Sequence, residues 1–173
     1  MAHIIDGKEI SRQIKAELKE TLDKWAAQQI TATLAVVQVG HDPASDVYVR
    51  NKKRTCTELG IRSLSYELPE SVSQKELLCL VEELNGREDV DGILVQLPLP
   101  SHIDEKAVLN AVSPEKDVDG FHPYNVGALS CGEDCFVPAT PAGILELLKR
   151  SGIELDGKAV SYTHLTLPTN SRV

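Results

Sequence analysis

Apolar side chains at Ile10, Ile14, Leu18, Leu22 and Trp25 recur at helical spacing over residues 7 to about 29, with Lys and Glu between them. The spacing predicts an amphipathic helix whose stripe is packing surface. The period then changes. Residues 31–40 form a β-rich apolar run ending in Gly40, the pattern of a buried strand in a parallel sheet. Asp42 as N-cap and Pro43 in the first turn predict a second helix, from 42 to about 59 and closed by Gly60. Residues 62–68 alternate Leu64, Tyr66 and Leu68 with polar positions, a half-buried strand stopped by Pro69. Ser73 and Glu76, three apart before Leu77, Leu78 and Leu80, form a capping-box pattern at the head of a helix over 73–85. Residues 91–100, Asp-Gly-Ile-Leu-Val-Gln-Leu-Pro-Leu-Pro, predict a short buried strand, since a helix needs more length and fewer breakers. A helix from about 104 to 112 follows.

Helices alternating with strands across short loops predict an α/β fold: a three-layer domain with a mostly parallel sheet, right-handed crossovers and helices on both faces. After Ser113 the pattern becomes irregular through Pro114, Gly120, Pro123 and Gly127, and helical spacing resumes only over 140–149. A long ordered loop in a compact domain is often functional. A new strand is expected from 156 to 160.

Composition bounds the function. A chain of 173 residues with 42% hydrophobic content buries one core, and its length argues for one domain. A net charge of −8 repels phosphate backbones, so no nucleic-acid partner is expected. No apolar run approaches the ~20 residues of a membrane helix. The start, Met-Ala-His-Ile-Ile-Asp, lacks a basic segment followed by an apolar one. The expectation is a cytoplasmic protein without a membrane partner. Cys56, Cys79, Cys131 and Cys135 show no C-x-x-C spacing and no His at zinc-ligand distance, which predicts free thiols and no metal.

Candidate chemistry begins with Gln96. An amide near the carboxyl end of a buried strand needs partners, and in open α/β sheets ligands bind at that end. Ser45, Tyr48 and Lys52 fall at i, i+3 and i+7 of the second predicted helix, which places a hydroxyl, an aromatic plane and an amine on one face. A lysine serves as general acid or base near neutral pH when its pKa is lowered, and burial or the neighbouring cations Arg50 and Lys53 act in that direction. Taken alone, a Tyr and a Lys four apart are more commonly plain surface residues. Asp117 and Asp119, in Lys116-Asp117-Val118-Asp119-Gly120-Phe121, lack the further ligands of a calcium loop. Two readings stay open for them: a carboxylate accepting two N–H groups side by side, as a 2-amino-pyrimidinone ring offers, or a turn in which the carboxylate bonds its own backbone. His102 and His122 have no Ser or Cys arrangement around them and are read as loop residues without a catalytic role.

Taken together, Tyr48-Val49-Arg50-Asn51-Lys52, the run over 91–100 and the run over 116–127 closely resemble the bifunctional methylenetetrahydrofolate dehydrogenase/methenyltetrahydrofolate cyclohydrolase family. Three long motifs in order are far more specific than one. The resemblance implies that Lys52 is the catalytic proton-transfer group, that Gln96 holds and tunes it, that Tyr48 stacks on the folate and that Asp119 binds the pterin ring. Those four are the expected catalytic residues, with Ser45, Tyr48 and Asp119 as substrate-binding residues. It also implies tetrahydrofolate derivatives as ligands, NADP as the cofactor of the parent enzyme, and a parent homodimer.

Two departures from the family pattern stand out. Ala139 occupies a position where the family usually has Cys, in Pro138-Ala139-Thr140-Pro141. Beyond residue 160 the family's G-x-S-x-x-V-G-x-P loop and its later P-G-G-V-G-P segment do not follow; residues 161–173 are unlike it. The expectation is a folate-binding catalytic domain over 1–160, a non-family tail over 161–173 from an assembly or cloning accident, or else a variant tail with strand propensity, and no Rossmann cofactor domain. Such a chain is expected to lack dehydrogenase activity and to be monomeric. The alternatives are a folate-binding module without turnover and the substrate domain of another dehydrogenase; the length of the motifs at 91 and 116 argues against the second.

Overall fold

In a computed structural model, residues 4–41 and 43–158 are described. The elements run α1 (Gly7–Ala27), β1 (Thr33–Val39), α2 (Pro43–Leu59), β2 (Arg62–Leu68), α3 (Gln74–Gly86), β3 (Gly92–Val95), α4 (Glu105–Ala111), α5 (Pro123–Cys131) and α6 (Ala139–Arg150). The local signals explain most boundaries. Asp6 caps α1 by accepting from Lys8 N and Glu9 N at 3.0 and 3.1 Å, satisfying two donors that the first helical turn leaves free. Ser73 and Glu76 form the reciprocal capping box of α3. Gly60, at φ +85°, supplies the left-handed residue that ends α2.

The three strands are parallel in the order β2-β1-β3. β1 is central, and its side chains divide between two cores because successive residues point to opposite faces. Ala35, Val37 and Val39 pack with Ile93 and Val95 against Leu77, Val81 and Leu84 of α3 and Val108 of α4. Val36 and Leu94 face the other way, against Val49 of α2 and the half-buried Val118. Helices therefore cover both faces of the sheet, as the alternation of elements predicts. No helix among the described residues is long and apolar enough to cross a membrane.

One expectation needs correction. The stretch after Ser113 is not irregular up to residue 140, because α5 occupies Pro123–Cys131. Pro123 and Gly127 read as breakers in the sequence, yet Pro123 sits in the first turn, where a missing N–H costs nothing. His122 caps that turn, its Nδ1 accepting from Tyr124 N at 3.0 Å, and Gly132 at φ +76° ends the helix. The other loop histidine, His102, pairs its Nε2 with Val72 O at 2.9 Å. The strand expected from 156 does not form over the described residues 156–158, where the chain turns with Gly157 at φ +69°; the expected Asp42 cap, residues 159–160 and the tail over 161–173 lie outside the described residues.

Candidate active site

The chain leaves β1 toward β2 on one side and returns to β3 on the other. Strand β1 is followed by α2 and strand β3 by residues 96–100, so both segments leave the carboxyl end of the sheet, where α/β folds bind ligands. Helix α2 forms one wall of that region and residues 96–100 another.

Gln96 lies one residue past the end of β3. Its backbone N–H donates to Val37 O at 2.8 Å, extending the ladder toward β1. Its side-chain Nε2 donates to Leu97 O at 2.8 Å, which turns Oε1 outward to accept from Lys52 Nζ at 3.2 Å. The half-buried amide is thus oriented by its own backbone and in turn orients the lysine. Leu97 O also accepts from Ser45 Oγ at 3.4 Å. Ser45 and Lys52, two turns apart on α2, both tie the helix to the segment after β3. Tyr48, between them on the same face, is 64% exposed. A second tie fixes the head of α2 on the sheet, where buried Gln38 of β1 donates from Nε2 to Asp46 Oδ1 at 2.5 Å.

The Lys116–Gly120 segment divides its work among its residues. Lys116 Nζ donates to Leu84 O, Asn85 O and Arg87 O at 3.3, 2.9 and 2.7 Å, spending all three donors on carbonyls at the end of α3 and just beyond it. Asp117 is buried, and its Oδ2 accepts from His122 N at 2.8 Å and from Asn125 Nδ2 at 2.9 Å. Val118 packs so closely on β3 that a Cβ at Gly92 would meet Val118 Cγ1 at 2.5 Å. Gly120, at φ +67°, turns the chain where any Cβ would lie 2.7 Å from Phe136 O. Asp119 is left half-buried and makes no hydrogen bond among the described residues. Burial holds its carboxyl above the ordinary aspartate value, Lys52 pulls it back down, and Asp117 pushes it up again. Asp117 organises its loop through His122 N and the Asn125 amide, five and eight residues on, rather than through a bond within its own turn, while Asp119 has no such bond among the described residues and lies within the field of Lys52.

The structure thus sets Lys52 on Gln96 and Ser45 on Leu97 O, keeps Tyr48 on the same face of α2, and holds the Asp119 carboxylate within the field of Lys52. The parts that a reading of the sequence misses are Asn125 and the Gln38–Asp46 tie. Asn125 carried no signal because the helix that holds it was read as irregular; buried Gln38, in contrast, is an amide in an otherwise apolar strand and was open to the reasoning applied to Gln96. All four cysteines are free thiols, with that of buried Cys56 pushed up by burial. Among the described residues no group of three or more His, Cys, Asp or Glu is placed to hold a metal ion.

The family model of the tetrahydrofolate dehydrogenase/cyclohydrolase catalytic domain matches residues 5–119. The bifunctional protein FolD of Lachnoclostridium phytofermentans is 60% identical over 158 residues, which are 91% of this chain and 56% of that protein. The crystal structure of the bifunctional enzyme FolD, methylenetetrahydrofolate dehydrogenase/cyclohydrolase, from Campylobacter jejuni superposes with a TM-score of 0.85 at 48% identity, covering 87% of this chain and 54% of that one. The Trypanosoma brucei N5,N10-methylenetetrahydrofolate dehydrogenase-cyclohydrolase, solved with NADP cofactor and an inhibitor, gives a TM-score of 0.85 at 38% identity over 91% of this chain and 54% of that one. The chain spans about half the length of the relatives it matches.

Proposed function

The chain belongs to the tetrahydrofolate dehydrogenase/cyclohydrolase family, and we propose that this site binds a tetrahydrofolate derivative and hydrolyses 5,10-methenyltetrahydrofolate to 10-formyltetrahydrofolate. The observation that carries this reading is the hydrogen bond from Lys52 Nζ to Gln96 Oε1 beside an unbonded, half-buried Asp119 carboxylate. A proton-transfer group and a ring anchor are then available on one ligand.

The chemistry follows from these groups. The methenyl bridge is an amidinium carbon that water attacks, and the new oxygen must lose a proton before the ring opens. Lys52, in its unprotonated form, takes that proton. As the bond from the bridge carbon to N5 breaks, Lys52 returns its proton to the departing nitrogen and the remaining hydroxyl proton passes to solvent as the formyl C=O forms, so one amine serves as base and then acid. Gln96 accepts from Lys52 through an oxygen whose direction is set by the Nε2–Leu97 O bond, which keeps the amine at one position through both transfers. The Asp119 carboxylate accepts the two parallel N–H donors of the 2-amino-pyrimidinone part of the pterin. Tyr48 offers its exposed ring face to the folate, and Ser45 holds Leu97 O in the wall.

The parent reaction with NADP transfers a hydride from the methylene carbon to the nicotinamide, which supplies the electrons when bound. The described residues do not fit that cofactor. A dinucleotide needs a glycine-rich turn from strand to helix. After β1 the chain offers Gly40 alone, with Glu70 Cβ 3.4 Å from where its Cβ would be, and after β3 it offers Pro98 and Pro100. No hydride step is therefore derived from this site.

Calorimetric titration with 5,10-methenyltetrahydrofolate tests the binding half of the proposal. Asp119→Ala is expected to weaken binding by about two orders of magnitude, the loss of a charge-assisted pair of hydrogen bonds. Equal affinity in Asp119→Ala and the unmodified chain would remove the pterin anchor.

A further inference from the structure

Asn125 is 2% exposed and Asp117 is 5% exposed, so both are polar groups held out of water. Their hydrogen bonds close the loop that carries Asp119. Asn125 Nδ2 donates both to Pro114 O at 3.0 Å and to Asp117 Oδ2 at 2.9 Å. The same Asp117 oxygen accepts from His122 N at 2.8 Å. One nitrogen and one oxygen therefore fasten the start of the loop at 114, its middle at 117 and its end at 122. Backbone bonds define the turn itself: Ile93 N donates to Lys116 O at 2.7 Å, and Gly120 N donates to Asp117 O at 3.1 Å. Asp119 is the third residue of that turn, and its carboxylate is the one left unbonded.

We propose that Asp117 and Asn125 form a buried latch that positions the Asp119 carboxylate for its ligand, making Asn125 on α5 a positioning residue of the site. The inference rests on the folate-site reading of Asp119. Fold stability alone is a weak reason for a buried charge. An ionised carboxylate and an amide inside a small domain are costly to desolvate, and apolar residues of similar volume would hold two segments together as well or better. A polar latch adds a direction. Hydrogen bonds to one oxygen fix the orientation of the 117 side chain and, through the turn, the position two residues on. The charge of Asp117 also reaches Asp119: after burial, and against the pull of Lys52, it favours the protonated form of Asp119.

A double-mutant cycle in the full 173-residue chain tests this, with 5,10-methenyltetrahydrofolate binding read by calorimetry. Asn125→Ala is expected to weaken binding by about tenfold, and in an Asp119→Asn background by less than about twofold, because a latch has nothing to position once the anchor is gone. An undiminished affinity in Asn125→Ala, or an equal loss in both backgrounds, would overturn the latch while leaving the folate site intact. An unchanged affinity in Asp119→Asn by itself would overturn the folate reading instead. Should Asn125→Ala fail to fold, Asp117→Asn keeps the shape and an acceptor for His122 N, and the Asp119 carboxyl is followed by carbon NMR without ligand. Its titration is expected at lower pH than in the unmodified chain. An unmoved titration would show that Asp117 does not act on Asp119 and would overturn the proposal.

Discussion

Asp119 is placed at a cost to the fold. Burial first, and the neighbouring Asp117 next, raise its proton affinity above the ordinary aspartate value of 3.8, with Lys52 opposing them. The folded chain thus holds the Asp119 proton more tightly than the unfolded chain does. The stability this group contributes is fully present below the unfolded value and is lost as pH rises through the folded one. At neutral pH the carboxylate is a net burden, and Asp119→Asn is expected to raise the melting temperature at pH 7 while weakening folate binding. At a pH below the unfolded value the difference in melting temperature should vanish. Thermal denaturation at the two pH values checks this; a lower melting temperature for the variant at pH 7 would show that Asp119 is a structural residue. Among single residues, Gln96 was the most legible in the sequence, as an amide in an apolar run must find partners. Spacing alone left Asp117 and Asp119 undivided, and only the family resemblance pointed to Asp119, because the physical difference between them depends on Asn125, a residue eight positions from Asp117 that reaches it only after α5 has formed.

At the scale of elements, the alternation of periods and the caps Ser73, Gly60 and Asp6 mark what short-range physics decides. The helix α5 escaped because its stabilising features lie in its contacts rather than its pattern: it buries only Asn125 and Ala128 and shows no amphipathic stripe. The junction of β3 with the Asp119 loop is the element contact on which the site depends. Gly92→Ala would put a Cβ 2.5 Å from Val118 Cγ1, next in sequence to Asp119. It is expected to cost about 1–3 kcal/mol of stability, as overpacking does, and to weaken folate binding as Val118 moves. Ser73→Ala should cost about 1 kcal/mol through the lost cap and leave binding unchanged. Denaturant titrations paired with calorimetry separate the two; equal folate affinity in Gly92→Ala and the unmodified chain would show that the loop does not depend on this packing.

For the whole molecule, the parallel order β2-β1-β3 is what turns scattered motifs into a site. It places α2, which follows β1, beside the segment that follows β3, so residues 44 positions apart in the chain meet as Lys52 and Gln96. Alternating helices and strands made this layering legible, since right-handed crossovers to the two sides of one strand put their helices on opposite faces. Distances and side-chain directions were not legible, because they arise only when the sheet registers its strands. In the proposed reaction this meeting makes Lys52 the group that moves protons during hydrolysis. Loss of the methenyl absorbance of 5,10-methenyltetrahydrofolate, followed with the 173-residue chain above the buffer rate, tests it most directly. Lys52→Met, which keeps an unbranched four-atom stem and removes the amine, is expected to return the rate to that of buffer with folate still bound; a Lys52→Met rate equal to that of the unmodified chain would show that Lys52 moves no proton in the reaction.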